Sequence, residues 1–333
     1  MMMMDSEVPR LLCSHILGFN MPKVLHVGPH QSQGGMATVM GLLNSYPPEG
    51  WQSELLSTHS QKGVFSKLSA WLGARRYLKR CSDKFDVVHI HCAADFSFRR
   101  KINLAKIVQK NGVPVVFQIH SGKFDSWVLG KEKWAKKSLK PYSTVVLSEG
   151  WKEKLSPLIG DMDVVVNPVD PEIKNLNKTR ENKSMLLLGR PDPVKGHRFA
   201  FELARKMCAE GWMLNATGSE LKEENIEGLG WISDDAKFDL LSKATVLLVP
   251  SSHEGQPMVI LEAMASGCPI IASDQVPGLA SVVVKAKFEN LAEWSAALRD
   301  LKPQSMTDAI ANHSMEKVSA KWGLIYDKIK INR

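Results

Sequence analysis

The chain has 333 residues, more than one compact core usually holds, so two domains of ordinary size are expected. Apolar residues make up 44% of the chain and charged residues 23%, which is typical of a soluble globular protein. No apolar run approaches the roughly 18 residues that span a bilayer, and the start of the chain lacks the pattern of a signal peptide. A cytoplasmic location is therefore expected.

The formal charge of +8 is unevenly distributed along the chain. Residues 1–170 contain 22 Lys and Arg against 14 Asp and Glu, whereas residues 171–333 contain 21 of each kind. Two segments of the first half are basic and read as amphipathic helices: Lys67, Arg75, Arg76, Lys79, Arg80 and Lys84 in one, and Lys131, Lys133, Lys136, Lys137 and Lys140 in the other. A solvated helix face is the commoner explanation, and docking on an anionic membrane surface is the alternative. No nucleic-acid motif accompanies them, so no nucleic-acid partner is expected.

Strand-like apolar runs alternate with helical segments in both halves of the chain. Residues 1–20 have no clear period and are expected to be an extension. The first series of strands is predicted at Lys23–Val27, Val87–His91, Val113–Ile119 and Thr144–Leu147, and the second at Val164–Val166, Met185–Leu188, Met213–Ala216, Val246–Val249 and Ile270–Ala272. Asn167–Lys183 is the predicted linker. The alternation predicts two doubly wound parallel sheets with a ligand cleft between them.

Several loops between these elements carry groups that can bind an anion. Gly34 and Gly35 follow the first strand, where backbone N–H groups can approach a phosphate, although the spacing is not GxGxxG and a surface loop is the alternative. Arg190 and Lys195 follow the strand at Met185–Leu188, where exposed loop cations are also common.

Other side chains admit simpler explanations. His120 ends a strand at a ligand-binding edge, although a backbone hydrogen bond is the commoner role for such a histidine. Asp161 and Asp163 match a metal-binding DxD pattern in letters but are read as turn residues. The odd number of cysteines and the absence of a CxxC pair favour reduced thiols (Cys13, Cys81, Cys92, Cys208 and Cys268).

The segment Pro250–Asp274, PSSHEGQPMVILEAMASGCPIIASD, is the most informative one. It is predicted to pass from a strand through a loop into a helix that Pro257 opens, that continues to about Ser266 and that Gly267 ends. Glu254 then lies in the loop and Glu262 in the helix. A helix start can bind a diphosphate, and a carboxylate further along can accept hydrogen bonds from hydroxyls, which suits a nucleotide sugar. Spacing alone fits a surface loop and an ordinary amphipathic helix equally well.

Taken in order, these motifs resemble those of glycosyltransferase family 4. The resemblance rests on Gly34-Gly35, His120, Asn167-Pro-Val-Asp170, Gly189-Arg190 with Lys195-Gly196, and Glu254-x7-Glu262 with EAMASGCPIIASD. It extends from Met21 to about Tyr326. It implies an α/β chain with the GT-B fold, in which two Rossmann-like domains with parallel sheets face each other across a cleft. It also implies transfer of a sugar from a UDP- or GDP-linked donor, with retention of configuration and without a metal or other cofactor.

The resemblance assigns roles to particular residues. The donor phosphates are expected at Arg190 and Lys195, beside Gly189. The ribose is expected at Glu262 and the transferred sugar at Glu254. The remaining assigned positions contribute backbone groups or side chains around the donor: Gly34 and Gly35 at the phosphate and acceptor side, Gly255, Gln256, Pro257 and Met258 at the sugar, His120 across the cleft, and Trp231 and Ile232 at the nucleobase. His120, Glu254, Arg190 and Lys195 form the predicted catalytic set. Gln256 stands where many relatives have an aromatic residue or glycine, which leaves the identity of the donor open.

The domain prediction places an extension at 1–20, an acceptor-side domain at 21–165, a donor domain at 166–320 and a helix at 321–333 that returns to the first domain. The expected acceptor is a saccharide or a lipid-linked molecule in surface polysaccharide, lipopolysaccharide or other glycolipid synthesis, on the inner face of the cytoplasmic membrane. Two alternatives are a nucleotide-sugar-binding sensor or scaffold without transfer activity, and a nicotinamide-dependent oxidoreductase, which the missing GxGxxG disfavours.

Overall fold

The computed structural model of the protein describes residues 21–59, 64–173, 179–302 and 305–331. Its first half contains a six-stranded sheet in the order β2-β1-β3-β4-β5-β6, in which every paired strand is parallel to its neighbour. The strands are β1 Lys23–Gly28, β2 Gln52–Ser57, β3 Val87–Cys92, β4 Val115–Ile119, β5 Ser143–Val146 and β6 Asp163–Val164. The inner strands β3 and β4 are buried along their whole length because helices cover both faces of the sheet. Those helices are α1 Gly35–Ser45, α2 Val64–Cys81, α3 Asp95–Lys110, α4 Phe124–Val128, α5 Glu132–Leu139 and α6 Glu149–Ile159.

The second half contains a seven-stranded sheet in the order β13-β12-β11-β7-β8-β10-β9. Its strands are β7 Ser184–Leu187, β8 Met213–Thr217, β9 Lys222–Glu223, β10 Ile226–Gly230, β11 Val246–Val249, β12 Ile270–Ser273 and β13 Val284–Ala286. Among the strands of the described residues in this sheet, only the short edge strand β9 pairs antiparallel, with β10. The helices of this half are α7 His197–Met207, α8 Asp234–Lys243, α9 Met258–Ala265, α10 Leu291–Arg299, α11 Thr307–Ile310 and α12 Met315–Ile331. Among these and the other described helices, none combines the length and apolar character that crossing a bilayer requires.

The strand predictions are confirmed except at one position and at the sheet edges. The run predicted at Val164–Val166 as part of the second sheet is β6, which pairs with β5 in the first sheet, so that assignment is wrong. In the chain β6 lies between β5 and β7, which belong to different sheets, and its apolar pattern does not show which of the two sheets it joins. The unpredicted strands are β2, β9, β10 and β13; they are short or lie towards the sheet edges, where exposed polar residues interrupt the apolar pattern.

The last helix, α12, packs against the first sheet. Trp322 and Tyr326 are fully buried, and the Tyr326 hydroxyl lies 2.8 Å from Nδ1 of His89 on β3. The indole N–H of Trp51 donates to Oδ1 of Asp327 at 3.2 Å.

The exact domain boundaries stay predictions. Residues 1–20 and residues 174–178 of the predicted linker lie outside the described residues.

The two halves touch where the carboxyl ends of their strands face each other. The indole N–H of Trp151 in α6 donates to the carbonyl of Gly255 at 2.8 Å. A Cβ atom on Gly255 would overlap the carbonyl oxygen of His120, and one on Gly122 would overlap the backbone of Glu254. Glycine therefore allows the loop after β4 and the loop after β11 to pack backbone against backbone.

Candidate functional site

A cleft of about 420 Å³ opens between the two sheets, and we call it the interdomain cleft. The first half contributes Gly34 and Gly35, and the second contributes side chains from loops and helices that lie far apart in the chain. Of the residues assigned by resemblance, those that line the cleft are Gly34, Gly35, Gly189, Arg190, Lys195, Trp231, Ile232, Met258 and Glu262. Those outside its lining are His120, Glu254, Gly255, Gln256 and Pro257.

The starts of two helices meet in this cleft, one from each half. Gly34 precedes α1 with φ of 128°, a backbone conformation that favours glycine. Helix α9 begins at Met258, so Pro257 lies just before the helix and not inside its first turn as predicted, and the helix ends at Ala265. A Cβ atom on Gly35 would lie 3.1 Å from Cγ of Met258, which shows how closely the two starts approach. Their unpaired N–H groups and partial positive charge favour an anion here.

Lys195 and Glu254 form an ion pair beside the helix starts. Nζ of Lys195 lies 2.6 Å from Oε1 of Glu254, and the Ser251 hydroxyl donates to the same oxygen at 2.8 Å. The two charged side chains are 23% and 13% exposed, so solvent screens this pair only partly. Gly196, with φ of 73°, packs its α-carbon against the carbonyl of Pro250 where no Cβ atom fits. Glu254 therefore contacts the cleft through Lys195, whose ammonium group it orients.

Glu262 forms a second ion pair, with a lysine that the sequence reading missed. Glu262 is 4% exposed, and its Oε1 lies 2.8 Å from Nζ of Lys237, which also contacts Oδ1 of Asp234 at 2.8 Å. Burial raises the pKa of Glu262, and Lys237 opposes that rise. Burial alone lowers the pKa of Lys237, but Glu262 and Asp234 outweigh it, so the ammonium stays charged. Lys237 and Asp234 both line the cleft. Only the packing of α8 against α9 shows that Lys237 points there.

Gln256 lies outside the lining of the cleft and is hydrogen-bonded to Asn167. Its side-chain Oε1 accepts a hydrogen bond from the backbone N–H of Asn167 at 2.6 Å, and its carbonyl accepts one from the Asn167 amide at 3.1 Å. Its side-chain oxygen and its backbone carbonyl tie the β11–α9 loop to Asn167, in the segment that joins the two halves. The expectation that the side chain lies beside the sugar stays a prediction.

His120 belongs to a row of imidazoles inside the first sheet. Its Nε2 shares a hydrogen bond with Nδ1 of His91 at 3.0 Å, and Nε2 of His91 shares one with Nδ1 of His26 at 3.0 Å. Burial lowers the pKa of His120 and of His26 to about 3, so both rings are neutral at ordinary pH. The backbone carbonyl of His120 thus lies at the junction of the two halves, and the residue is outside the lining of the cleft.

One group in the described part of the chain has the geometry to hold a metal ion. The ligand atoms of His26, His89 and His91 all lie within 4.8 Å of one another. The three residues belong to the neighbouring strands β1 and β3, all are buried, and none of them lines the interdomain cleft. The four described cysteines, Cys81, Cys92, Cys208 and Cys268, are free thiols.

Comparison with known proteins connects this geometry to an activity. Residues 182–313, which include most of the second half and its side of the cleft, match the family model of the glycosyl transferases group 1. An uncharacterized 41.2 kDa protein in the cps region of Klebsiella pneumoniae is 23% identical over 294 residues, 75% of this chain and 80% of that protein.

Two solved structures share the fold. Sucrose-phosphate synthase from Thermosynechococcus elongatus superposes with a TM-score of 0.73 at 14% identity, covering 94% of this chain and 100% of that one. The apo form of the lipopolysaccharide outer core galactosyltransferase WaaB gives 0.60 at 18% identity, covering 92% and 99%. The chain has the GT-B fold, and the family match supports a glycosyltransferase.

Proposed function

We propose that this GT-B protein is a metal-independent, retaining glycosyltransferase that moves a sugar from a nucleotide-sugar donor to a saccharide or lipid-linked acceptor. The observation that carries the proposal is the meeting of two helix starts and two cations, Arg190 and Lys195, in one cleft, with the buried Glu262 one helical turn further along α9. The family match covers the half of the chain that contributes both cations and Glu262.

The donor extends along α9 in this proposal. Its diphosphate lies over the starts of α1 and α9 within reach of Arg190 and Lys195. Glu262 follows the start of α9 at Met258 by about 6 Å at the usual rise of an α-helix, where its carboxylate accepts hydrogen bonds from the ribose hydroxyls. The nucleobase packs against Trp231, whose ring is 55% exposed at the cleft. These positions supply binding for each part of a nucleotide sugar.

The same groups account for the chemistry. When the anomeric C–O bond breaks, its electron pair moves to the diphosphate, whose new charge is stabilised by Arg190, Lys195 and the helix starts. An acceptor hydroxyl attacks the oxocarbenium-like sugar from the same face, and the departing phosphate oxygen accepts its proton. No side-chain base is then needed, which agrees with the engagement of Glu254 and Glu262 in ion pairs.

A two-stage experiment tests the proposal. Purified protein is first melted with a panel of nucleoside diphosphates, since a ligand at 100 times its Kd adds about 2.7 kcal/mol to the free energy of unfolding. The matching nucleotide sugars are then assayed for hydrolysis and transfer, and the anomeric configuration of the product is determined by NMR.

The variant Lys195→Ala is expected to lower kcat by about 100-fold, since it removes a cation that acts on the leaving group. Lys206→Ala removes an exposed lysine of the neighbouring helix α7 and serves as the control. Near-normal turnover of Lys195→Ala disproves the leaving-group role. A nucleotide sugar that binds without being hydrolysed or transferred supports a sensor or scaffold in place of an enzyme.

The first half of the protein has an exposed surface that is suited to binding an anionic membrane. Leu129 and Trp134 are exposed at the turn before α5 and on that helix, and Lys133, Lys136 and Lys137 are exposed beside them. Exposed apolar groups next to lysines match the interface of an anionic bilayer. The location of the Klebsiella relative in a cps region supports a pathway of surface polysaccharide or glycolipid synthesis.

Sedimentation with vesicles tests the membrane part. We expect the protein to sediment with phosphatidylglycerol vesicles and to remain in solution with phosphatidylcholine vesicles, with binding that weakens as salt is raised. Replacing Lys133, Lys136 and Lys137 by Gln is expected to abolish sedimentation, whereas Gln at Lys206 and Lys222 is not. If the protein does not sediment with the anionic vesicles at low salt, it does not bind an anionic membrane. That result does not affect the proposed transferase reaction.

A further inference from the structure

We propose that the acceptor carries a phosphate group, held in a second cavity next to the interdomain cleft. This basic cavity, of about 460 Å³, lies on the first half of the protein and is lined by Thr58, Ser97, Arg100 and Lys101 among others. Ser32, Gln33 and Arg190 line both spaces, so the cavity and the cleft are adjacent. The inference rests on the proposed function, because it assigns the basic cavity to the acceptor of that reaction.

The charge of the basic cavity is of one sign. Arg100, Lys101 and Arg190 contribute to its lining, and the lining residues in the described part of the chain include no aspartate or glutamate. The guanidinium of Arg100 donates to the carbonyl of Phe96 at 3.3 Å, one turn earlier in α3. Arg190 pairs with Asp192 at 3.8 Å, where the two side chains are 56% and 40% exposed and the pair is weak. Cations gathered without carboxylates create a potential that favours an anion.

Lys101 is the most informative member of the group. It is only 4% exposed, and its ammonium donates to the carbonyl of Val27 at 3.2 Å and to the hydroxyl of Thr58 at 2.7 Å, both neutral acceptors. A buried ammonium without a counter-charge costs stability, and an anion in the cavity offsets that cost. Burial lowers the pKa of Lys101 to about 7, and Arg100 contributes to the lowering while Cys92 opposes it.

The position of the basic cavity suits an acceptor and not a second donor phosphate. The donor lies along α9 in the second half, whereas Thr58, Ser97, Arg100 and Lys101 belong to the first half. A phosphate anchored there leaves the rest of the acceptor to pass Ser32 and Gln33 into the cleft, where a hydroxyl can reach the anomeric carbon. A phosphorylated sugar and the phosphate of a lipid carrier offer the same chemistry.

Calorimetry with three probes tests the inference on the full chain. The protein is first saturated with whichever nucleoside diphosphate stabilises it most, which fills the donor site. Inorganic phosphate, glucose 6-phosphate and geranyl phosphate are then titrated separately. We expect phosphate to bind to the occupied protein. Tighter binding of glucose 6-phosphate or of geranyl phosphate then distinguishes a soluble acceptor from a lipid-linked one.

Two variants and a control locate the binding. Arg100→Gln and Lys101→Met are each expected to weaken phosphate binding by about tenfold or more, since each removes a charge-assisted hydrogen bond. Lys106→Gln removes an exposed charge from the same helix and is expected to change nothing. Arg100 is half-buried at the surface, so Arg100→Gln still decides the matter if Lys101→Met does not fold.

The outcomes separate this inference from the proposed function. If the folded protein binds a nucleoside diphosphate but no phosphate probe, or if both variants bind phosphate as the unmodified protein does, the basic cavity is not an anion site. If no nucleoside diphosphate binds, but phosphate binds and both variants weaken that binding, the basic cavity is an anion site and the proposed donor site is wrong.

Discussion

Two lysines determine how the glutamates of the Pro250–Asp274 segment can act. Glu254 accepts from Lys195 and Ser251, and Glu262 accepts from Lys237, so each carboxylate has an oxygen in an ion pair before any ligand binds. A carboxylate held in this way is suited to position a cation or a hydroxyl and is a poor general base. Ligand contacts at these two residues therefore exchange with, or add to, existing ion pairs.

Lys237→Met is expected to lower the free energy of unfolding by about 3 kcal/mol at pH 8, since it leaves the charge of Glu262 buried without its partner. The loss is expected to be smaller at pH 5, because burial raises the pKa of Glu262 and the unpaired carboxyl can be protonated there. Chemical denaturation measures both values.

Lys243→Met provides the matched control, since it removes a more exposed ion pair with Asp239 from the same helix and should cost less than about 1 kcal/mol. Adding Glu262→Gln to Lys237→Met is expected to recover part of the stability. If Lys237→Met and Lys243→Met lower the free energy of unfolding equally, burial does not make the Lys237–Glu262 pair the stronger one.

Lys101 predicts a pH dependence of stability. Its pKa is about 7 in the folded protein, far below the ordinary value, so above pH 7 the unfolded chain binds more protons and stability rises with pH. Relative to Lys101→Met, the unmodified protein is expected to gain about 2 kcal/mol in the free energy of unfolding between pH 7 and pH 9. Of its titratable neighbours, Cys92 has a pKa raised to about 12 and His91 one lowered well below its usual value, so neither titrates in this range. If the free energies of unfolding of the two proteins change with pH in parallel, the pKa of Lys101 is not lowered in the folded protein.

At the scale of elements, α12 is held on the first sheet by a polar contact inside an aromatic cluster. His89 lies between Trp322, at 4.2 Å between ring centroids, and the hydroxyl of Tyr326, at 2.8 Å. The helix thus covers the end of the chain of buried imidazoles that leads through His91 to His120. Its packing connects the last part of the sequence to the sheet of the first half.

Tyr326→Phe is expected to cost about 1 to 2 kcal/mol, because it leaves Nδ1 of His89 buried without this hydrogen-bond partner. Tyr142→Phe removes a more exposed hydroxyl contact, with Gln109 at 3.2 Å, and is expected to cost less. Thermal melts of the two variants make the comparison, and an equal change in Tm contradicts the role assigned to the buried contact.

At the scale of the whole molecule, the cleft exists because the two halves approach through glycine. The close approach of Gly255 to the His120 carbonyl and the hydrogen bond from Trp151 to Gly255 hold the loop after β11 against the loop after β4 and against α6. Ser32, Gln33 and Arg190 line both the basic cavity and the interdomain cleft, so the two spaces are adjacent. In the proposed reaction, the relative position of the halves therefore determines whether donor and acceptor can meet.

Gly255→Ala is expected to force the halves apart, since its Cβ atom overlaps the His120 carbonyl. We expect weaker nucleoside diphosphate binding and a larger radius of gyration by small-angle scattering. Gly73→Ala lies on α2, where a Cβ atom meets nothing within 4 Å, and is expected to stabilise the protein by about 0.5 to 1 kcal/mol. Unchanged binding and size for Gly255→Ala show that the junction is adaptable.

The sequence by itself determined the alternation of strands and helices, the apolar inner strands and the strand–loop–helix around Glu254 and Glu262. Apolar periodicity and turn residues act over a few neighbouring positions, so a linear reading can detect them. It also placed Gly34, Arg190 and Lys195 on loops at strand ends, where the cleft opens.

Only the tertiary structure decided which sheet β6 joins, which lysine holds each glutamate, and that Gln256 turns towards Asn167. It also brought Arg100 and Lys101 of α3 beside Arg190 of the second half. These contacts connect residues that are tens of positions apart, and side-chain direction depends on how helices pack. No local pattern contains that information, because the partner of a buried charge is chosen by the folded chain around it.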